Sequence, residues 1–120
     1  MENNVENQPE NNKLSDEELI EVAAAAALGV DGVSGLSSTL TDSIMNIPGL
    51  GAPIKGVKLS VDENELSFDL YINVEYGRKI PQLAWDIQSS VKKAVEDAAL
   101  RKVKEVNIHV QGVEMPKEDN

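Results

Sequence analysis

The sequence predicts an α+β domain: a small mixed sheet of about three strands, an antiparallel hairpin plus a parallel crossover strand, with two helices packed on one face. Apolar residues recur at helical spacing near the start and change to a period of two from Val57. They return to helical spacing after Pro81 and alternate again from Val106. The second helical stretch, about five turns long, lies between two strands, so the chain can come back parallel by a right-handed crossover.

The first helix begins sharply. Ser15 and Glu18 have capping-box spacing, with Leu14 and Leu19 at the positions of a hydrophobic staple. Asp16, Glu17 and Glu18 put negative charge where the helix dipole favours it. Leu19, Ala23, Ala26, Ala27 and Val30 follow at helical spacing, and Gly29 reads as the C′ residue that ends the helix near Leu28. The alanine run 23–27 favours helix and leaves a thin surface that can approach a sheet closely.

Residues 31–56 read as an irregular connection punctuated by Gly32, Gly35, Pro48, Gly49, Gly51, Pro53 and Gly56. Inside it Leu40, Ile44 and Ile47 are spaced for about two turns of amphipathic helix. They either cover the open end of the core or dock a partner.

Next, Val57, Leu59 and Val61 alternate with Lys58, Ser60 and Asp62. After a turn at 62–65, Leu66, Phe68, Leu70, Ile72 and Val74 alternate with polar residues. Pro81 suits the first turn of a helix whose stripe is Ala84, Ile87, Val91, Ala94, Val95 and Ala98, with Arg101 and Lys102 at its carbonyl end. Val106, Ile108 and Val110 form the last strand. The same alternation puts Tyr71, Asn73, Glu75, Asn107, His109 and Gln111 on the face away from the helices.

At 120 residues the chain fits one domain, read as 14–114, between a disordered acidic, Asn-rich tail at 1–13 and a flexible tail at 115–120. Apolar residues make up 41% and aromatics 3%, so the core must be aliphatic. A net charge of −10 repels phosphate backbones, and nucleic acid is not expected as a partner. No cysteine is present, which removes disulfides and thiolate chemistry. The first residues lack the basic and apolar regions of a signal peptide. The apolar run Val22–Leu28 is far below the roughly 20 residues a membrane span needs, so direct insertion is not expected.

Catalytic and metal-binding signals are weak. His109 is the single histidine; a base or metal site there would need Asp69, Glu75 or Asn107 to converge on it, and strand alternation makes it a solvated residue instead. No Gly-x-Ser-x-Gly turn or Walker-type phosphate loop occurs. Gly29–Gly32 and Gly32–Gly35 match the Gly-x-x-Gly of KH loops but carry Asp31 and no cation. A tight turn out of the helix accounts for these glycines. No cofactor and no catalytic residue are expected. Tyr71 combines apolar area with a polar tip on the outer face, the pattern of a contact residue. The candidate interaction residues are Tyr71, Asn73, Glu75, His109 and Gln111 on that face, and Leu40, Ile44 and Ile47 in the connection.

The strings Val74-Glu75-Tyr76-Gly77, Ile80-Pro81 and Val106-Asn107-Ile108-His109-Val110-Gln111-Gly112-Val113 resemble the alkaline-shock-protein family of Gram-positive bacteria, also described as Gls-type cell-envelope stress response proteins. Gly32-Val33-Ser34-Gly35 and Gly56-Val57-Lys58-Leu59 fit the same pattern, and the resemblance spans roughly 14–114. It implies a non-enzymatic, self-associating scaffold in the cytoplasm, peripheral at the inner side of the membrane through a small membrane-anchored protein. The alternatives from other classes are a KH-like nucleic-acid-binding domain and a small enzyme centred on His109.

Overall fold

The structure, a computed structural model, describes residues 14–37 and 55–115. Its elements in chain order are α1 (Asp16–Leu28), β1 (Val33–Leu36), β2 (Val57–Asp62), β3 (Glu65–Glu75), α2 (Ile80–Ala99) and β4 (Val103–Glu114). The tails 1–13 and 116–120, and Leu40, Ile44 and Ile47 with them, lie outside the described residues.

α1 starts with the capping box its sequence spells. Ser15 N donates to Glu18 Oε1 at 2.9 Å, and Glu18 N donates to Ser15 Oγ at 3.1 Å. Two orphan donors are thereby satisfied at one helix end. Gly29 ends the helix, but with φ −80°, so it is a right-handed cap and not the left-handed C′ residue the sequence suggests. The left-handed residue comes later, at Gly32 (φ 108°), where an added Cβ would lie 3.1 Å from Leu83 Cδ1 and 3.2 Å from an Arg78 nitrogen.

β3 is the spine of the sheet. Leu66, Phe68, Leu70, Ile72 and Val74 are buried, and every intervening residue is half-buried. β2 pairs antiparallel with its first half, from Asp62↔Glu65 to Val57↔Leu70. β4 pairs parallel along its whole length, the crossover running through α2. The sheet is therefore mixed, with four strands among the described residues where the sequence predicts about three.

The additional strand, β1, lies in the segment read as irregular. It is four residues long and pairs antiparallel with the far half of β3, through Val33↔Val74 and Leu36↔Ile72. β1 and β2 therefore occupy one edge of β3 end to end. They meet at Tyr71, whose N–H donates to the Gly56 carbonyl at 2.8 Å and whose carbonyl accepts the Ser37 N–H at 2.7 Å.

Both helices cover one sheet face, and among the described residues the core is one cluster of 18 buried apolar side chains. The buried stripe of α2 is Leu83, Ile87, Val91, Val95 and Ala99, each four residues apart. This shifts the expected stripe: Ala84 and Ala94 sit at its margin and Ala98 is exposed. α2 stops at Leu100, which turns left-handed (φ 56°). Glu96 then accepts the Val103 N–H at 2.9 Å and Lys92 Nζ at 3.1 Å, and these bonds hold its carboxyl below the ordinary value. The cations expected to serve this helix end, Arg101 and Lys102, lie beyond its last turn, which carries no basic residue.

The meeting point of β1 and β2 leaves no room for a side chain at Gly56. Its φ is 78°, and a Cβ would sit 2.9 Å from the Ser37 carbonyl and 3.1 Å from the Tyr71 carbonyl. Gly77 has a similar φ of 92° with nothing within 4 Å. Gly77→Ala is expected to cost about 1 kcal/mol from the backbone alone. Gly56→Ala adds a clash with fixed backbone and is expected to cost about 3 kcal/mol. Urea unfolding of the two variants separates the effects; equal midpoints would refute the close approach.

Candidate functional site

Among the described residues, the helices leave the opposite face of the sheet bare. β3 presents Asp69, Tyr71, Asn73 and Glu75 there, all half-buried. The parallel register sets Asn107 beside Asp69, His109 beside Tyr71 and Gly112 beside Asn73. The Tyr71 and His109 rings stack with centroids 4.6 Å apart and planes 14° from parallel. His109 Nε2 lies 2.9 Å from Asp69 Oδ1, a hydrogen bond in the tautomer that carries the proton on Nε2. Burial, and after it the Asp69 carboxylate, raises the Tyr71 hydroxyl above its ordinary value of 10.0.

Asn73 stands in a gap. Its neighbour on β1 is Gly35 and its neighbour on β4 is Gly112, so a lane without flanking side chains crosses the face at this level. An added Cβ at Gly112 would meet Asn73 Oδ1 at 2.8 Å, so the amide lies against the strand backbone there. Gly35 has nothing within 4 Å of its Cβ position, which leaves the other side open.

The remaining candidates divide. Glu75 is engaged by Arg78 at 3.0 Å, and Arg78 also reaches Asp31 at 3.2 Å, so this end of the face is a knot of charges. Hydrogen bonds to Glu75 and then Asp31 raise the Arg78 pKa further. Gln111 does not sit beside Asn73 as plain alternation requires. The register shifts between Ile72 and Asn73, Gly112 takes that place, and Gln111 is the extra residue. Asp69 as the partner of His109 and the two glycines beside Asn73 become visible only when strand register is known.

A base acting on a bound substrate needs a concavity beside it. Two clefts among the described residues lie elsewhere. One of about 280 Å³ opens at the start of α2, beside Arg78, Lys79 and Asp86. The other, about 380 Å³, is an apolar groove between α1 and Leu36, rimmed by the Glu21–Lys55 ion pair at 2.7 Å. No group of three His, Cys, Asp or Glu residues among the described residues is placed to hold a metal ion. The Gly29–Gly32 stretch is the turn from α1 into β1, with Asp31 paired to Arg78.

Fold and face together describe a helix-covered sheet domain with one open polar face. The chain belongs to the alkaline shock protein 23 family, cell envelope-related function, whose model matches residues 4–115. This upholds the resemblance read from the closing strand. It is 36% identical over 93 residues to the uncharacterized protein Spy1535 of Streptococcus pyogenes, covering 77% of this chain and 70% of that one. It is 33% identical over 102 residues to the uncharacterized protein YloU of Bacillus subtilis, covering 83% of this chain and 85% of that one. Among solved structures, two MamM-CTD variants share the fold. One has a TM-score of 0.50 at 17% identity, covering 86% of this chain and all of that one. The other has a TM-score of 0.51 at 18% identity, covering 82% and 93%. No helix among the described residues is long and apolar enough to cross a membrane.

Because Tyr71 titrates higher when folded than when unfolded, its contribution to stability is complete below the ordinary value of 10.0 and is lost as pH rises through the folded value. Tyr71→Phe is expected to flatten the decline in stability above pH ~10. Asp69→Asn is expected to flatten it partly, since burial is the larger cause. Urea unfolding from pH 8 to 11 measures this, and identical slopes in all three proteins would refute the assignment.

Proposed function

We propose that this protein is a non-catalytic, self-associating scaffold of the cell-envelope stress response, brought to the inner side of the membrane by a small membrane-anchored protein. The bare sheet face is the surface that partner reads. The observation that carries this reading is how its side chains are used. Asp69, His109 and Tyr71 are fixed on one another and not around a cavity, and the lane at Asn73 admits a partner close to the strands. A preorganised polar face with one stacked aromatic pair loses little side-chain entropy on contact. The family's cell envelope-related role supports the location. Leu40, Ile44 and Ile47 are a second proposed contact, as an apolar stripe for the same partner.

A KH-like reading is weaker, because the Gly-x-x-Gly stretch carries a carboxylate already paired to Arg78 and the chain has a net charge of −10. Absence of an RNA mobility shift at low salt is the expected result.

Asn73→Arg fills the lane without touching the core. The protein is expected to sediment with membranes in cell fractionation, and the variant to shift at least fivefold toward the soluble fraction while keeping its unfolding free energy within about 0.5 kcal/mol. Wild-type protein found wholly in the soluble fraction, or a variant that stays on the membrane, refutes the proposal.

A further inference from the structure

Strand register fixes which charges the bare face presents. β3 contributes Glu65, Asp69 and Glu75. β2 sets Lys58 beside Asp69 and Asp62 beside Glu65, and β4 sets Glu105 beside Ser67 and Glu114 beside Glu75. Among the described residues, Lys58 is thus the one lysine or arginine at the paired strand positions of this face, against six carboxylates. Three of the six have partners: Asp69 bonds His109 through Oδ1, Asp62 lies 4.0 Å from Lys104 Nζ, and Glu75 binds Arg78. Glu65, Glu105 and Glu114 have no ion-pair partner among the described residues.

Charge alone would attract any cation, and the shape beside Tyr71 narrows the choice. One face of the Tyr71 ring is covered by His109, and no other ring among the described residues stacks on it. On the side away from His109, the backbone neighbours of Tyr71 are Gly56, which has no side chain, and Ser37, whose side chain is short. Asn73, the next position along the face, has Gly35 on that same side. The second ring face therefore looks over a strip of strand backbone that is almost free of side chains. Asp69 stands at one end of the strip, and its bond to His109 uses only one of its two oxygens. Lys58 lies beside it, on a flexible stem that can carry the ammonium out into water.

A flat cation suits this strip better than a compact one. The arginine guanidinium is planar, stacks on aromatic faces, is weakly hydrated and can donate to a carboxylate from its edge. The glycine lane at Asn73 lets an extended backbone come close to the strands. We propose that the bare face takes an arginine-bearing extended segment of a partner protein. One guanidinium stacks on the uncovered face of Tyr71 within reach of Asp69, the backbone crosses at the level of Asn73, and further cations lie over Glu105 and Glu114. Segments that flank a membrane anchor on its inner side are enriched in lysine and arginine, so a membrane-anchored partner carries this chemistry where it meets the protein.

The inference rests on the bare face being the partner's surface, as proposed above, and adds what that partner presents. The probe is a short fluorescent peptide alternating arginine and serine, titrated with the full chain and followed by anisotropy. Binding that weakens with added salt is expected, with the lysine–serine peptide at least fivefold weaker. Tyr71→Leu is expected to weaken binding of the arginine peptide at least fivefold, and Tyr71→Phe, which keeps the ring, to leave it within twofold. Glu105→Gln combined with Glu114→Gln is expected to weaken it at least fivefold. Glu17→Gln combined with Asp97→Asn removes the same charge from the helices and is expected to leave it within twofold. No binding of the arginine peptide, equal binding of the lysine peptide, or equal losses from the two charge pairs overturns the inference. If Asn73→Arg still releases the protein from membranes in that case, the face stands as the partner's surface and only the arginine chemistry falls. Should Tyr71→Leu fold poorly by circular dichroism, the lysine peptide and the two charge pairs decide the outcome.

Discussion

The strict alternation of β3 is the constraint on which the other elements depend. Its five core side chains are all buried, and both of its edges are bonded to other strands. A slip of one residue would exchange Phe68 and Leu70 for Asp69 and Tyr71 and put a carboxylate under the helices, which is why the register is stringent. The same strand fixes where the chain leaves and re-enters the sheet. The Tyr71 peptide groups hold Ser37 on one side of the 38–54 segment and Gly56 on the other. The two ends of that long connection are thus tied at one point, directly behind the ring that stacks on His109.

Most of the fold was legible because its signals are local. The capping box of α1, the β2–β3 hairpin and the length of α2 each depend on spacing within one element. β1 was not legible: Val33, Ser34, Gly35 and Leu36 show no alternation, and the strand exists because β3 extends beyond the end of β2 and offers unpaired backbone. The bulges of β4 were hidden for a similar reason. Register shifts that skip Lys104 and Gln111 put Val103 and Val106 on the same face and replace Gln111 by Gly112 beside Asn73. A period of two cannot display a shift that only the neighbouring strand defines. The outer row of Tyr71, Asn73 and His109 followed from alternation. The Asp69 bond and the Gly35–Gly112 lane required the parallel register as well.

The exposed position of Trp85 shows a further limit. From the sequence it falls beside Ala84 and could be taken for part of the core-facing stripe. The buried positions instead repeat every four residues from Leu83, and Trp85, two residues from both Leu83 and Ile87, turns away from the sheet. A large aromatic left 62% exposed on an otherwise aliphatic domain loses hydrophobic stabilisation that burial elsewhere could supply.

β4 answers to three surfaces at once. Val103 and Val106 face the helices, Asn107 and His109 face outward beside Asp69 and Tyr71, and the backbone from Ile108 to Val113 forms an edge that no other strand among the described residues pairs. Each demand restricts different positions, so together they leave almost no residue of the stretch free. Gly112 is bare because Asn73 lies against it, and a charge at Val110 would lie beside buried Ile72. His109 is held from one side by a ring and from another by a carboxylate. The stretch that most resembles the family is therefore also where the physical constraints of the fold are densest.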